Sequence, residues 1–348
     1  MFLKNTWYVG ARSEELTDKP LGRTICNERV VFFRGKDNEV CAVEDFCPHR
    51  GAALSLGYIE DGHLVCGYHG LVMGCEGKTI AMPMQRVQGF PKIKRHAVAE
   101  RHGLIWIWYG DPDLADVSTI PSFEWTDNPD WVYAGGVYHV KSDYRLMIDN
   151  LMDLTHETYV HKGSIGQPEI DESPVHTFME GDIVVTKREM NGIYAPPHWQ
   201  AALKAAGLAP EAKVDRWQYS RFYLPSHIMI DVGVALAGRG GYNAAAQDKV
   251  SSTVVNFMTP ETDSTHWYFW GMARTYLLDD SEFTKHVQDE QRRIFAQDLD
   301  VLQAQQENLS AYPDRQLLML NIDSGGVQAR RQIERAMKEA RHIGSVTS

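Results

Sequence analysis

The chain has 348 residues, 43% of them hydrophobic and 23% charged, an ordinary mixture for a soluble globular protein long enough for two domains. Forty-six acidic against 35 basic residues give a formal charge of −11. That balance argues against a nucleic-acid partner, because phosphate binding draws on surplus Lys and Arg.

In chain order, residues 1–110 predict an all-β module. Segments 25–34, 40–44 and 103–109 carry β-branched and aromatic residues, with breaks at Gly35, Asp61-Gly62, Gly67, Gly74 and Glu76-Gly77. Gly110-Asp111-Pro112-Asp113 reads as a linker, which places a domain boundary near 110 and a second domain over 111–348. Residues 144–160 have apolar side chains at helical spacing. Strand-like runs follow at 182–188, 217–224, 227–236, 250–258 and 266–276, then helices over 281–308 and 326–342. Strands followed by helices predict an α+β domain with an antiparallel sheet. No stretch approaches the roughly 20 continuous apolar residues of a membrane span. The opening residues lack the apolar run of a signal peptide, so a cytoplasmic location without membrane attachment is expected.

Two loops pair cysteine with histidine: Cys47-Pro48-His49 and Cys66-Gly67-Tyr68-His69, with sixteen residues between His49 and Cys66. Gly51 and Gly70 follow them, where the backbone can approach an inorganic core and donate N–H groups to sulfur. One thiolate and one imidazole per loop suit an asymmetric two-iron cluster. Two Cys then hold one iron and two His the other, with a reduction potential of about −150 to +300 mV. The same inventory would serve a structural zinc site, although zinc fingers pair Cys with Cys and His with His. Cys26, Cys41 and Cys75 have no His partner at such spacing and read as small buried hydrophobes.

Asp153, His156 and His161 form the next candidate. On a helix Asp153 and His156 share a face, whereas His161 converges on them only if the helix ends in between. Two imidazoles with one carboxylate make the facial triad of non-haem ferrous iron. In the helix from 281, Ile294, Phe295, Val301 and Leu302 mark the buried face, and Asp298 falls among them. A buried carboxylate needs a cationic partner. Asp298 is therefore the expected third ligand, with a buried salt bridge as the alternative.

The motif C-x-H…C-x2-H followed by N-x2-D-x2-H-x4-H resembles the Rieske non-haem iron aromatic oxygenases, in matching order along essentially the whole chain. Residues 4–9, 43–51, 149–161 and 267–274 resemble most closely the oxygenase components that O-demethylate vanillate. The resemblance implies an N-terminal Rieske [2Fe–2S] domain with Cys47, His49, Cys66 and His69 as cluster ligands. It implies a helix-grip catalytic domain whose mononuclear Fe(II) is held by His156, His161 and Asp298. It also implies a homotrimeric ring, with Asp153 bridging His69 and His156 of neighbouring subunits. A plain capping or paired role for Asp153 is the alternative.

The activity so implied is monooxygenation. O2 and single electrons hydroxylate the methoxy carbon of vanillate, and the product collapses to protocatechuate and formaldehyde. O- or N-demethylation of another aromatic substrate, such as syringate or a methoxybenzoate, is the runner-up, followed by a Rieske electron carrier without oxygenase activity. No nicotinamide or flavin fingerprint is present, so electrons from NAD(P)H require a separate flavin/iron–sulfur reductase. Arg221, His227 and Asn256 on predicted strands are candidates for the substrate carboxylate. Arg330, Arg331, Arg335, Lys338 and Arg341 mark either a solvated helix face or a docking patch for the reductase.

Overall fold

The computed structural model describes residues 1–348 apart from Glu124, Trp125, Asp127, Gly163, Thr347 and Ser348, with side chains described up to Ala340. The chain divides into two compact units. One comprises Met1–Ser122, Thr259–Asp263 and Met337–Ser348; the other comprises Phe123–Met258 and Ser264–Ala336.

Three small sheets build the first unit. Strands β2 (Leu21–Ile25), β3 (Glu28–Arg34) and β4 (Val40–Glu44) form one, antiparallel throughout. Strands β5 (Tyr58–Glu60), β6 (His63–Val65), β7 (Val72–Met73) and β8 (Thr79–Ala81) form the second. In the third, β1 (Thr6–Arg12) pairs with β10 (Leu104–Tyr109), which pairs with β9 (Val98–Arg101). Segment 25–34, expected as one strand, is a hairpin. Cys26 and Asn27, at φ 52° and 67°, make the tight two-residue turn that suits twisted strands. Val31, Phe33, Val43, Leu54, Leu64 and Met73 pack into a core that includes Cys47 and Cys66.

Two of the remaining cysteines are not the isolated hydrophobes expected. Cys41 and Cys75 form a disulfide, with Cα atoms 5.1 Å apart. Folding brings β4 and the turn after β7 to the same core, a meeting that spacing along the chain does not reveal. Cys26 is buried and free, as expected.

The second unit is organised on a seven-stranded sheet. Its order is β11 (Val132–Val140), β17 (Thr265–Arg274), β16 (Lys249–Thr262), β15 (His227–Leu236), β14 (Lys213–Tyr223), β13 (Ile183–Tyr194) and β12 (His176–Glu180). The described pairings are antiparallel. Helices α1 (Tyr144–Met152), α2 (Glu157–Val160), α3 (Glu169–Glu172), α4 (Pro197–Ala205), α5 (Ser281–Ala311) and α6 (Ser324–Val346) complete the chain. Among the described residues no helix is long and apolar enough to cross a membrane.

Helix α5 buries Val287, Gln291, Ile294, Phe295, Asp298, Leu299 and Leu302. The Phe295 ring meets Tyr268 and Trp270 edge-on at 5.6 and 5.4 Å, and the Tyr138 hydroxyl donates to the Arg292 carbonyl at 2.8 Å. These contacts seat the helix on the face shared by β11 and β17. Val301, expected on the buried stripe, is 50% exposed, because one residue of helix turns it about 100° away from Leu302. Strand β11 and helix α4 are additions to the expected elements. In β11 a Cβ on Gly136 would lie 2.7 Å from the Trp270 indole. Glycine there lets the strand close over a large ring.

Candidate metal centres

The two Cys–His loops are folded alike. Cys47 N–H donates to the Ala52 carbonyl and Gly51 N–H to the Cys47 carbonyl, both at 2.8 Å. At the same offsets, Cys66 N–H donates to the Leu71 carbonyl at 2.8 Å and Gly70 N–H to the Cys66 carbonyl at 3.0 Å. Each loop closes on a left-handed glycine, Gly51 at φ 68° and Gly70 at φ 74°, a conformation glycine adopts without steric cost. The thiols of Cys47 and Cys66 are free and buried. His49 and His69 lie at the surface, their ring centroids 4.5 Å apart.

Burial pushes the Cys47 thiol up and neighbouring Cys66 adds to this, while the backbone N–H groups of His49 and Arg50 on its sulfur pull the other way. Backbone donors aimed at a buried sulfur are what a metal-bound thiolate requires around it. The buried thiol pair and the exposed imidazole pair give two chemically distinct sides. This donor set fits an asymmetric two-iron cluster.

The second site depends on a break in a helix. Helix α1 ends at Met152, and Asp153 leaves helical geometry at φ −94°, ψ 114°. Helix α2 is then one turn long, with His156 and His161 at its two ends. This is how imidazoles five residues apart reach the same carboxylate. Nε2 of His156 and of His161 stand 3.4 and 3.3 Å from Asp298 Oδ1. The candidate ligand atoms of all three residues lie within 4.8 Å of one another.

The far side of each ring is held. Nδ1 of His161 is 2.9 Å from Gln297 Oε1, and Nδ1 of His156 is 2.8 Å from the Asp153 backbone carbonyl. Both partners are acceptors, so Nδ1 carries the proton and Nε2 turns inward. Asn150 Nδ2 donates to Asp298 Oδ1 at 3.1 Å. Burial opposes charge on all three groups, but their mutual pairing outweighs it. It raises both imidazoles and pulls Asp298 down to about 2. The geometry and donor types fit a divalent first-row metal with coordination positions to spare.

Within the chain the Asp153 carboxylate makes a local contact. Its Oδ1 accepts from the Thr155 N–H and hydroxyl, both at 2.7 Å. Within the chain the contact to His156 is made by the backbone carbonyl of Asp153 instead.

A small cavity opens onto His156, His161 and Asp298. Ile230, Val232, Val254, Met272 and Phe295 give it apolar walls, and Arg216, Gln218 and His198 are among its polar groups. Arg221, His227 and Asn256 do not line it, which corrects the expected substrate contacts. Arg221 alternates with Arg216 and Gln218 along β14 and faces the other side of the sheet, where it pairs with Asp231 and Glu180. His227 packs edge-on against Phe257 at 5.3 Å. Asn256 is fully buried, its Oδ1 accepting from the Tyr268 hydroxyl at 2.6 Å and its Nδ2 donating to the Ile228 carbonyl at 3.2 Å.

The cavity wall also holds a buried ionic group that the sequence does not single out. Glu157 lies between two guanidinium groups, with Arg188 Nη2 3.5 Å from its Oε1 and Arg216 Nη2 3.5 Å from its Oε2. Gln218 Nε2 donates to Glu157 Oε1 at 2.5 Å. Burial lowers Arg216 to about 10, which leaves it charged at neutral pH. On α6, Arg331, Arg335 and Lys338 are exposed, Arg330 is paired with Asp149, and the Arg341 side chain lies outside the described residues.

Comparison with known proteins bears on both centres. Residues 6–91 match the family model of the Rieske [2Fe-2S] domain, and residues 140–339 match that of the vanillate O-demethylase oxygenase C-terminal domain. The chain is 62% identical to the vanillate O-demethylase oxygenase subunit of Pseudomonas sp. (strain HR199 / DSM 7063), over 97% of this chain and 95% of that one. It is 33% identical to the dicamba O-demethylase oxygenase component of Stenotrophomonas maltophilia, over 96% and 97% of the two chains. Among solved structures, dicamba monooxygenase bound to 3,6-dichlorosalicylic acid superposes with a TM-score of 0.90 at 31% identity, covering 98% of this chain and 99% of that one. By its domains, its length and its identity to these relatives, the chain belongs to the vanillate O-demethylase oxygenase family of Rieske-type monooxygenases.

Proposed function

We propose that this chain is the terminal oxygenase that O-demethylates vanillate to protocatechuate and formaldehyde, fed with electrons from NAD(P)H by a separate flavin/iron–sulfur reductase. The observation that carries this reading is the convergence of His156 and His161 on Asp298 at an apolar cavity, in a chain 62% identical to a vanillate O-demethylase oxygenase subunit. In this reading Cys47 and Cys66 hold one iron of the cluster and His49 and His69 the other, within a first domain spanning residues 1–110. His156, His161 and Asp298 hold the mononuclear iron of the second domain, residues 111–348. Asp153 is the bridge for electrons within a homotrimer, and the protein is cytoplasmic.

With ferrous iron bound by this triad, the centre supplies the activation of O2 needed to insert oxygen into a methoxy C–H bond. The chain's own residues do the rest. Gln297 and the Asp153 carbonyl keep both imidazoles oriented, and Asn150 holds the carboxylate. Ile230, Val232, Val254 and Phe295 keep water from the reacting carbon. The overall balance is vanillate, O2, two electrons and two protons going to protocatechuate, formaldehyde and water. The hydroxylated methyl ether loses formaldehyde by cleavage of the bond between its carbon and the phenolic oxygen, which stays on the ring.

The test is turnover of vanillate, syringate and 3-methoxybenzoate by the reduced, iron-loaded protein. One formaldehyde and one protocatechuate per vanillate is the expected result. Release of formaldehyde from syringate but not from vanillate would move the assignment to the other ether.

A further inference from the structure

Among the described residues lining the cavity, Arg216 is the one Arg or Lys side chain. It is 3% exposed and its surroundings hold it without neutralising it. Nη1 donates to two neutral acceptors, Gln167 Oε1 at 2.6 Å and the Ile165 carbonyl at 3.3 Å. Nη2 stands 3.5 Å from Glu157 Oε2, well beyond the 2.7–2.9 Å of a good charge-assisted bond. Its Nε has no hydrogen-bond partner.

Glu157 is also shared. The same carboxylate faces Arg188 at 3.5 Å and accepts from Gln218, so two buried guanidinium groups share their nearest negative charge, with Glu169 acting on Arg216 and Asp153 and Asp171 on Arg188 from further off. Of the two cations, Arg216 is the one that borders the cavity.

We infer that Arg216 binds the carboxylate of the aromatic acid substrate. The inference rests on the vanillate reading and adds the residue that selects an acid over a neutral aromatic ether. A guanidinium at the cavity wall with a weakly used Nη2 offers an edge from which a carboxylate takes a charge-assisted hydrogen bond. Gln167 and the Ile165 carbonyl fix the plane of that edge, and Gln218 keeps Glu157 turned aside. Against the apolar side chains of Ile230, Val232, Val254 and Phe295, one such contact orients the ring.

The experiment is calorimetric binding to the iron-loaded protein, kept anaerobic and without reductase so that nothing turns over. Vanillate is compared with vanillamide, its uncharged analogue of the same shape. The wild-type protein should bind the acid at least about tenfold more tightly than the amide, as expected for a desolvated charge pair. Arg216→Gln should weaken vanillate by about tenfold or more while changing vanillamide by less than about threefold. Equal affinity of the wild type for acid and amide overturns the inference with no variant needed, which covers the case of an Arg216 variant that does not fold. Retention of the preference in a folded Arg216→Gln protein overturns it too. In both of those cases formaldehyde release from vanillate by the wild type leaves the proposed function standing. Absence of binding for either compound, with no formaldehyde released, removes both.

Discussion

Gln297 precedes Asp298 on α5, and its Oε1 accepts from His161 Nδ1 at 2.9 Å. It touches neither substrate nor the proposed iron, so it is a positioning residue for the imidazole. Loss of such a partner typically lowers metal affinity by about 10–100-fold. Gln297→Leu should therefore lose mononuclear iron on dilution, with iron falling towards two per chain and the cluster's visible spectrum unchanged. Unchanged iron content in that variant would refute the role. Asp298 is legible in the sequence because a carboxylate on an apolar stripe is costly, whereas a glutamine there is cheap and carries no signal. Arg216 shows a related limit. An arginine on this strand is a sensible anchor for an acid, but alternation along β14 separates two faces without saying which one meets the cavity. Arg221 and Arg216 therefore look equivalent until the sheet is packed.

Elements account for most of what sequence left out, because elements are decided by partners. Residues 144–160 carry one helical pattern, yet the helix breaks at Asp153 and resumes for a single turn. That break is what sets His156 and His161 on a common carboxylate. Strand β11 carries two adjacent glycines, of which Gly136 makes room for the Trp270 ring. The Cys–His loops, by contrast, are fully legible, since each needs only a Cys, a His and a glycine four residues after the Cys, all local in sequence. The disulfide frames these loops. Cys41 and Cys75 are 34 residues apart, and both ligand loops, 47–49 and 66–69, lie between them. Closing a loop of this length is worth about 3–4 kcal/mol in the chain-entropy model. Cys75→Ala should lower the melting temperature of the oxidised protein, and treating the wild type with reductant should reproduce the shift. Equal melting temperatures for the variant and the untreated wild type would show that the bridge does not constrain the unfolded chain.

Each compact unit houses one proposed centre, and the two are protected in different ways. In the first unit the cluster's thiols are sealed in a β core, Cys47 and Cys66 each being 2% exposed. In the second, the triad opens onto a cavity, and the His156 side chain keeps 19% of its exposure. Composition and length anticipate two units. They cannot anticipate that Thr259–Asp263 and Met337–Ser348 belong with the first, because such membership is set by contacts distant in sequence. A consequence for metal removal follows from the unequal protection. A ferrous chelator should strip the mononuclear iron through the cavity while leaving the cluster intact. Iron should fall from about three to about two per chain, as the ligand sets require. Formaldehyde release from vanillate should stop, while the cluster's visible spectrum and its EPR signal after reduction persist. Ferrous iron added back should restore turnover. A chain that serves only to carry electrons would start at two irons and lose none to the chelator. Loss of the cluster spectrum in step with the first iron removed would mean that the two sites are not independent, contrary to their separate ligand sets.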